Sequence, residues 1–180
     1  LLHMMLNCVF GGKGVGLMNM IMYVMLGVFL CGLMIGRTPE YLGKKIGPKE
    51  MRMAVILCVT TPLVILVGAA VMCLDPATVD SLTNAGAHGF SEVLYAAISA
   101  GGNNGSAFAG LGANTPMINV VLGLEMLVNR FIPLAAALIL AGGLAKRSKV
   151  ATSSGTLSTC NAMFVFLLIV IVLLVGALTM

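Results

Sequence analysis

Long apolar runs, broken by short charged loops, set the pattern of this chain. Leu17 to Ile35 reads LMNMIMYVMLGVFLCGLMI without a charge. A second run covers about Met53 to Leu74, a third about Met117 to Leu144, and a fourth about Cys160 to Met180. A bilayer-spanning helix needs about 20 mostly apolar residues, so each run predicts a span, the third long enough to tilt or kink. Two segments differ. Leu1–Gly16 and Phe90–Gly112 each join a short apolar stretch to a run of Gly and Asn. Val93–Ala100 (VLYAAISA) is too short to cross and suits a re-entrant or interfacial element.

Composition agrees with lipid as the main solvent. Hydrophobic residues make up 59% of the 180 and charged ones 9%, against about 25% charged in soluble domains. A soluble fold of this size cannot hide that much apolar surface. The net charge of +4 follows the loops rather than an acidic partner. Arg37, Lys44, Lys45, Lys49 and Arg52 lie between the first two spans, and Lys146, Arg147 and Lys149 follow the third. Asp75 to Glu92 holds Asp75, Asp80 and Glu92 and no Lys or Arg. The positive-inside rule puts both basic loops in the cytoplasm and the acidic one outside. The spans then alternate consistently. Both Gly/Asn loops fall on the outer side, each before an inward-running span, as one and a half copies of a span–loop–span unit.

The chain starts at Leu1 in mid-pattern, without the charged region of a signal peptide, and reads as an internal or C-terminal piece. Cys8, Cys31, Cys58, Cys73 and Cys160 form no CxxC pair and read as small packing residues. His3 and His88 are too few for a zinc site with them. No basic patch with interleaved aromatics suggests nucleic acid as a partner.

The first motif, Phe10-Gly11-Gly12-Lys13-Gly14-Val15-Gly16, fits neither soluble nucleotide loop. A dinucleotide fingerprint starting at Gly12 would need Gly at Leu17, and Asn7 and Gly14 break a Walker spacing. The second runs from Ser99 to Gly110 (SAGGNNGSAFAG). Irregular backbone at membrane depth survives only when buried in protein or lining a wet cavity. Glycines let such a loop expose carbonyl oxygens, and a ring of them can replace the hydration shell of potassium. A plain surface turn fits Asn-Gly equally well when taken alone. Two such loops on one face favour an ion path. In the third span, ionisable residues default to function. Glu125 and Asn129 share a helix face while Arg130 points elsewhere, and Pro133 predicts a kink. Arg130 fits a barrier or gate below a filter, or equally a buried Arg paired with Glu125 or loop carbonyls. Thr38 as N-cap and Pro39 at the first helical position predict a short interfacial helix in the first basic loop; a partner-docking site is the other reading.

VFGGKGVGL, GLMIGRTPEYLGKKI, HGFSEVLYA, NNGSAFAGL and SSGTL occur in this order. Together they strongly resemble the KdpA family, the potassium-binding subunits of bacterial Kdp potassium-transporting ATPases. The resemblance covers essentially the whole chain. It implies an all-α membrane protein with re-entrant pore loops, in a superfamily with four span–pore loop–span repeats around one filter. Residues 1–52 would be the third pore loop, its following helix and a cytoplasmic loop. Residues 53–144 would be the fourth repeat, and residues 145–180 a cytoplasmic loop and terminal helix, making the chain a C-terminal fragment. Gly11, Gly12 and Gly14 would then belong to the third filter strand, and Asn103, Asn104 and Gly105 to the fourth; Arg130 matches an Arg after the fourth loop. The ligand implied is potassium.

The partners implied are a P-type ATPase catalytic subunit, an accessory membrane subunit and the bilayer of the bacterial inner membrane. The chain would take potassium from outside and pass it through an intramembrane tunnel to the ATPase subunit. It has no D-K-T-G-T-like or Walker sequence, so no catalytic site or bound nucleotide is expected in it. Two positions depart from the family pattern: Gly102, where a third Asn often stands, and Lys13, often small and apolar, which is expected to face away from the filter. A stand-alone channel-like potassium transporter of the same superfamily is the alternative. An intramembrane enzyme or a structural membrane scaffold lacks support: there is no HExxH, no GxSxG and no pair of intramembrane aspartates.

Overall fold

In the computed structural model the structure describes residues 16–151 and 161–178. The segment containing Gly11, Gly12, Lys13 and Gly14 lies outside the described residues, as do Cys8 and Cys160.

Among the described residues six helices and one small hairpin follow in order. Helix α1 is Gly16–Ile35, strands β1 and β2 are Glu40–Tyr41 and Lys44–Lys45, and α2 is Pro48–Leu74. Helices α3 (Pro76–Asp80), α4 (Ala87–Gly101), α5 (Pro116–Ala145) and α6 (Ala162–Leu178) complete them. Among the described residues three helices, α1, α2 and α5, are long and apolar enough to cross a membrane, whereas α6, with 17 residues, is shorter there than the fourth span the sequence predicts. At 1.5 Å per residue the 27 residues of α2 reach about 40 Å and the 30 of α5 about 45 Å. The protein is therefore a helical membrane protein. Helix α4 has 15 residues, the short element the sequence pattern predicts.

Internal packing divides the described chain into two units. One comprises residues 59–132. Its core joins Ile65, Ala69 and Met72 of α2, Val93, Ala97 and Ile98 of α4, and Ile118 of α5. Asp75 caps the five-residue α3, its Oδ2 accepting from the Thr78 N–H at 3.0 Å and the Thr78 hydroxyl at 2.8 Å. Thr115 begins α5, its Oγ1 accepting from the Ile118 N–H at 3.3 Å.

The other unit comprises residues 16–58 and 133–178. Met22, Met25 and Val28 of α1 meet Ala54 and Leu57 of α2, Ala136 and Leu140 of α5, and Phe164 and Val172 of α6. Helix α1 ends in a Schellman motif. Gly36 takes the left-handed conformation at φ 71°, and the Arg37 N–H donates to Gly32 O at 2.7 Å.

The loop after α1 corrects the sequence reading. Thr38 and Pro39 do not start a helix; the chain turns back as an antiparallel hairpin pairing Glu40 with Lys45 and Tyr41 with Lys44. Leu42 and Gly43 both have positive φ, 52° and 71°. That is the two-residue turn whose twist matches paired strands. A residue before proline is pushed toward extended backbone, which favours a strand over a helix at Thr38. The Lys44 ammonium then donates to Leu144 O at 2.8 Å and Ala145 O at 3.2 Å, the last carbonyls of α5.

Candidate functional site

The Gly/Asn loop grows out of the end of α4, and hydrogen bonds to Ser99 fix its path. The backbone N–H groups of Asn104 and Gly105 both donate to Ser99 O, at 2.8 and 3.2 Å. The Ser106 N–H donates to Ser99 Oγ at 2.7 Å, and the two serine hydroxyls are 2.7 Å apart. Ser99 is fully buried, so the whole turn hangs from a fixed point. Asn103 and Gly105 carry positive φ, 59° and 74°. Asn tolerates this conformation better than most residues, and Gly adopts it freely. Tyr95 reaches Ser106 Oγ at 3.3 Å and stacks on Phe108 with ring centroids 4.4 Å apart. The turn consumes its own N–H groups and leaves its acceptors unclaimed. Among the described residues no hydrogen bond is accepted by the carbonyl oxygens of residues 102–107.

The return strand of the loop is also anchored. The Gly112 N–H donates to Ser81 O at 3.1 Å. Gly110 lies so close to Thr83 that a Cβ there would overlap the hydroxyl. Thr83 is itself held by Glu92, which accepts from its hydroxyl at 2.7 Å and its N–H at 3.2 Å, and from the Asn84 amide. These hydrogen bonds, from Thr83 first and Asn84 next, hold the Glu92 carboxyl below the usual carboxylate range.

Helix α5 separates the residues that the sequence grouped together. Glu125 and Asn129 are buried, 2% and 3% exposed. Arg130 is exposed, with no hydrogen bond or ion pair among the described residues. The reading of Arg130 as a buried partner of Glu125 is thereby corrected: adjacent residues on a helix diverge by about 100°, so the face holding Glu125 and Asn129 excludes it. Pro133 is buried within α5, and the helix continues past it to Ala145. Gly102 takes φ −74°. A Cβ there would meet Asn104 Nδ2 at 3.3 Å, so a larger residue needs the amide of Asn104 to give way.

Residues 1–180, the full length, match the family described as KdpA, Potassium-transporting ATPase A subunit. The chain belongs to this family. KdpA relatives named potassium-transporting ATPase potassium-binding subunit include that of Desulfovibrio desulfuricans, 63% identical over 171 residues. Those of Clostridium botulinum (strain Alaska E43) and Listeria monocytogenes (serotype 4b, strain CLIP80459) are 61% and 57% identical over 171 residues. Each match covers 95% of this chain and 29% or 30% of the relative. The chain thus spans less than a third of the length of the curated relatives it matches.

The Ser99–Ser106 strap and the Glu92 anchor were not among the predicted site residues. A lone serine closing the apolar stretch VLYAAISA is the one sequence signal for the strap. The Glu92 carboxylate lies nine positions from Thr83, and no helical or strand period connects them.

Proposed function

We propose that this chain carries part of the potassium-binding and translocating subunit of an ATP-driven potassium uptake complex. Asn103, Asn104 and Gly105 form one strand of a selectivity filter, with Gly11, Gly12 and Gly14 in another. Further loops outside this chain complete the filter. Potassium enters from outside and passes within the membrane to a P-type ATPase subunit, which supplies the hydrolysis; an accessory membrane subunit completes the assembly. The basic loops lie in the cytoplasm and the Gly/Asn loops outside, in the inner membrane. Arg130 acts on the ion path electrostatically. Residues 53–144 are one repeat of span, pore loop and span.

The observation that carries this reading is the turn after α4, whose carbonyl oxygens at residues 102–107 accept no hydrogen bond among the described residues while its N–H groups are tied to Ser99. Unclaimed carbonyls on a braced loop are what replaces the water around a potassium ion. Family membership supports the same reading.

Gly105→Ser in the full-length protein tests it. Gly105 holds φ 74°, and a side chain there costs about 1–2 kcal/mol of backbone strain. That strain displaces the carbonyls. The expected outcome is a raised apparent KM for potassium uptake and weaker discrimination against rubidium and sodium, with Gly12→Ser acting alike. Unchanged kinetics in both variants overturn the filter assignment.

A further inference from the structure

Four buried polar atoms on α5 have no hydrogen-bond partner among the described residues: both carboxylate oxygens of Glu125, and Oδ1 and Nδ2 of Asn129. The two side chains are one turn apart on one face. The backbone around them is cut back to admit them. On α2, a Cβ at Gly68 would fall on Glu125 Oε1. At the end of α4, a Cβ at Gly101 would stand 3.1 Å from Asn129 Nδ2 and 2.6 Å from Ile65 Cγ1. Val121 lies on the same side, its Cγ1 at 3.2 Å from the Cβ position of Gly68. Glycines on two helices therefore open a notch at the foot of the pore-loop helix, and a carboxylate and an amide fill it without being answered by any described residue.

A buried carboxylate needs a partner charge or a proton. The flanking helices offer Ile65, Gly68 and Gly101, and Arg130 turns away. A cation answers all four atoms at once. It meets the Glu125 charge and the Asn129 amide oxygen, while the Asn129 N–H₂ donates to water in its shell. The C-terminal end of α4 adds the partial negative charge of a helix terminus at the same place. No three His, Cys, Asp or Glu side chains cluster among the described residues, so the charge suits a monovalent ion rather than a divalent one.

We propose that Glu125 and Asn129 form a second cation station at the foot of α4, taking a partly hydrated potassium ion that has left the Gly/Asn loop. This rests on the reading of that loop as part of a potassium filter.

The test is anomalous scattering from thallium(I), which replaces potassium, soaked into crystals of the full-length protein in its complex. Two sites are expected, one at the carbonyls of residues 102–107 and one between Glu125 and Asn129. The isosteric Glu125→Gln should lose the second and keep the first, whereas Asn129→Asp should keep both. Scattering at the loop with none at Glu125 overturns this inference and leaves the filter reading standing, as does a second site that Glu125→Gln leaves unchanged. No scattering at the loop overturns the filter reading and this inference with it.

Discussion

Glu50 and Glu125 are both buried carboxylates, 4% and 2% exposed, each packed against glycine backbone, yet they are treated in opposite ways. Glu50 stands at the start of α2 and accepts from the Gly47 N–H at 3.0 Å. Arg147, just beyond α5, donates to it twice, from Nε at 3.2 Å and Nη2 at 2.9 Å. The guanidinium is admitted because Gly47 has no Cβ, and Gly143 gives the same room to Glu50 itself. Glu125 has the same kind of glycine notch at Gly68 and no hydrogen-bond partner among the described residues. The first arrangement completes itself from the chain and fixes a helix start. The second leaves an unmet demand in the middle of a spanning helix. Glycine notches alone therefore do not separate structure from function; what fills them does.

The largest effect is expected from breaking the answered case. Arg147→Met strips the charge partner from Glu50. Removing one member of a buried pair costs about 3–5 kcal/mol. The Arg147 side chain is 36% exposed, so water takes up part of the loss, and about 2 kcal/mol is expected for such a half-wet pair. Thermal unfolding of the full-length protein in detergent measures it. Glu50→Gln combined with Arg147→Met should restore most of the loss, and a double variant no better than the single one would contradict the pairing.

A smaller effect comes from filling the unanswered notch. Gly68→Ala drives a methyl group into the Glu125 carboxyl, which must swing aside within a packed site. The group met is the far end of a flexible side chain, so the cost falls at the low end of overpacking, about 1 kcal/mol. Combined with Glu125→Ala, it should be largely relieved, with a coupling of roughly 1 kcal/mol in a double-mutant cycle. Additive effects would mean that Gly68 and Glu125 do not touch.

Glu92 sharpens the comparison as a third case, answered only by neutral donors. Hydrogen bonds from Thr83 and Asn84 hold its carboxyl below the ordinary value of 4.5. Its contribution is therefore complete above that value and is lost as pH falls through the lower, folded-state value. Glu92→Gln should lower stability at pH 7, where that contribution is complete, and flatten the acid limb below about pH 4.5. An acid limb identical to that of the parent protein would show that Glu92 does not titrate with folding.

Three of the four predicted spans were legible because lipid enforces a single rule over about twenty residues. Helices α1 and α5 begin and end within a residue of the apolar runs, and α2 starts five residues earlier, at Pro48 rather than Met53. The five extra residues belong to helix capping, with Glu50 reaching back to Gly47. The hairpin was illegible because its turn uses Leu42-Gly43, and leucine at positive φ carries none of the Asn-Gly signal. For the candidate site, Gly/Asn composition marked the loop from Ser99 to Gly110, the family resemblance singled out Asn103, Asn104 and Gly105 within it, and Glu125 and Asn129 stood out as polar residues at helical spacing in a span. The sequence did not indicate what Ser99, Thr83 and Gly68 do. Their roles depend on contacts across the chain that no local period records.

The hold of Lys44 on the end of α5 also has a consequence for the order of events during synthesis. Its acceptors, Leu144 and Ala145, lie 100 and 101 residues further along the chain. A ribosome adding roughly 5–20 residues per second reaches them some 5–20 s after Lys44 itself. The Glu50–Arg147 bridge, spanning 97 positions, waits almost as long. A lone two-stranded hairpin is marginal in water. The loop after α1 is thus clamped only when the end of α5 has been delivered.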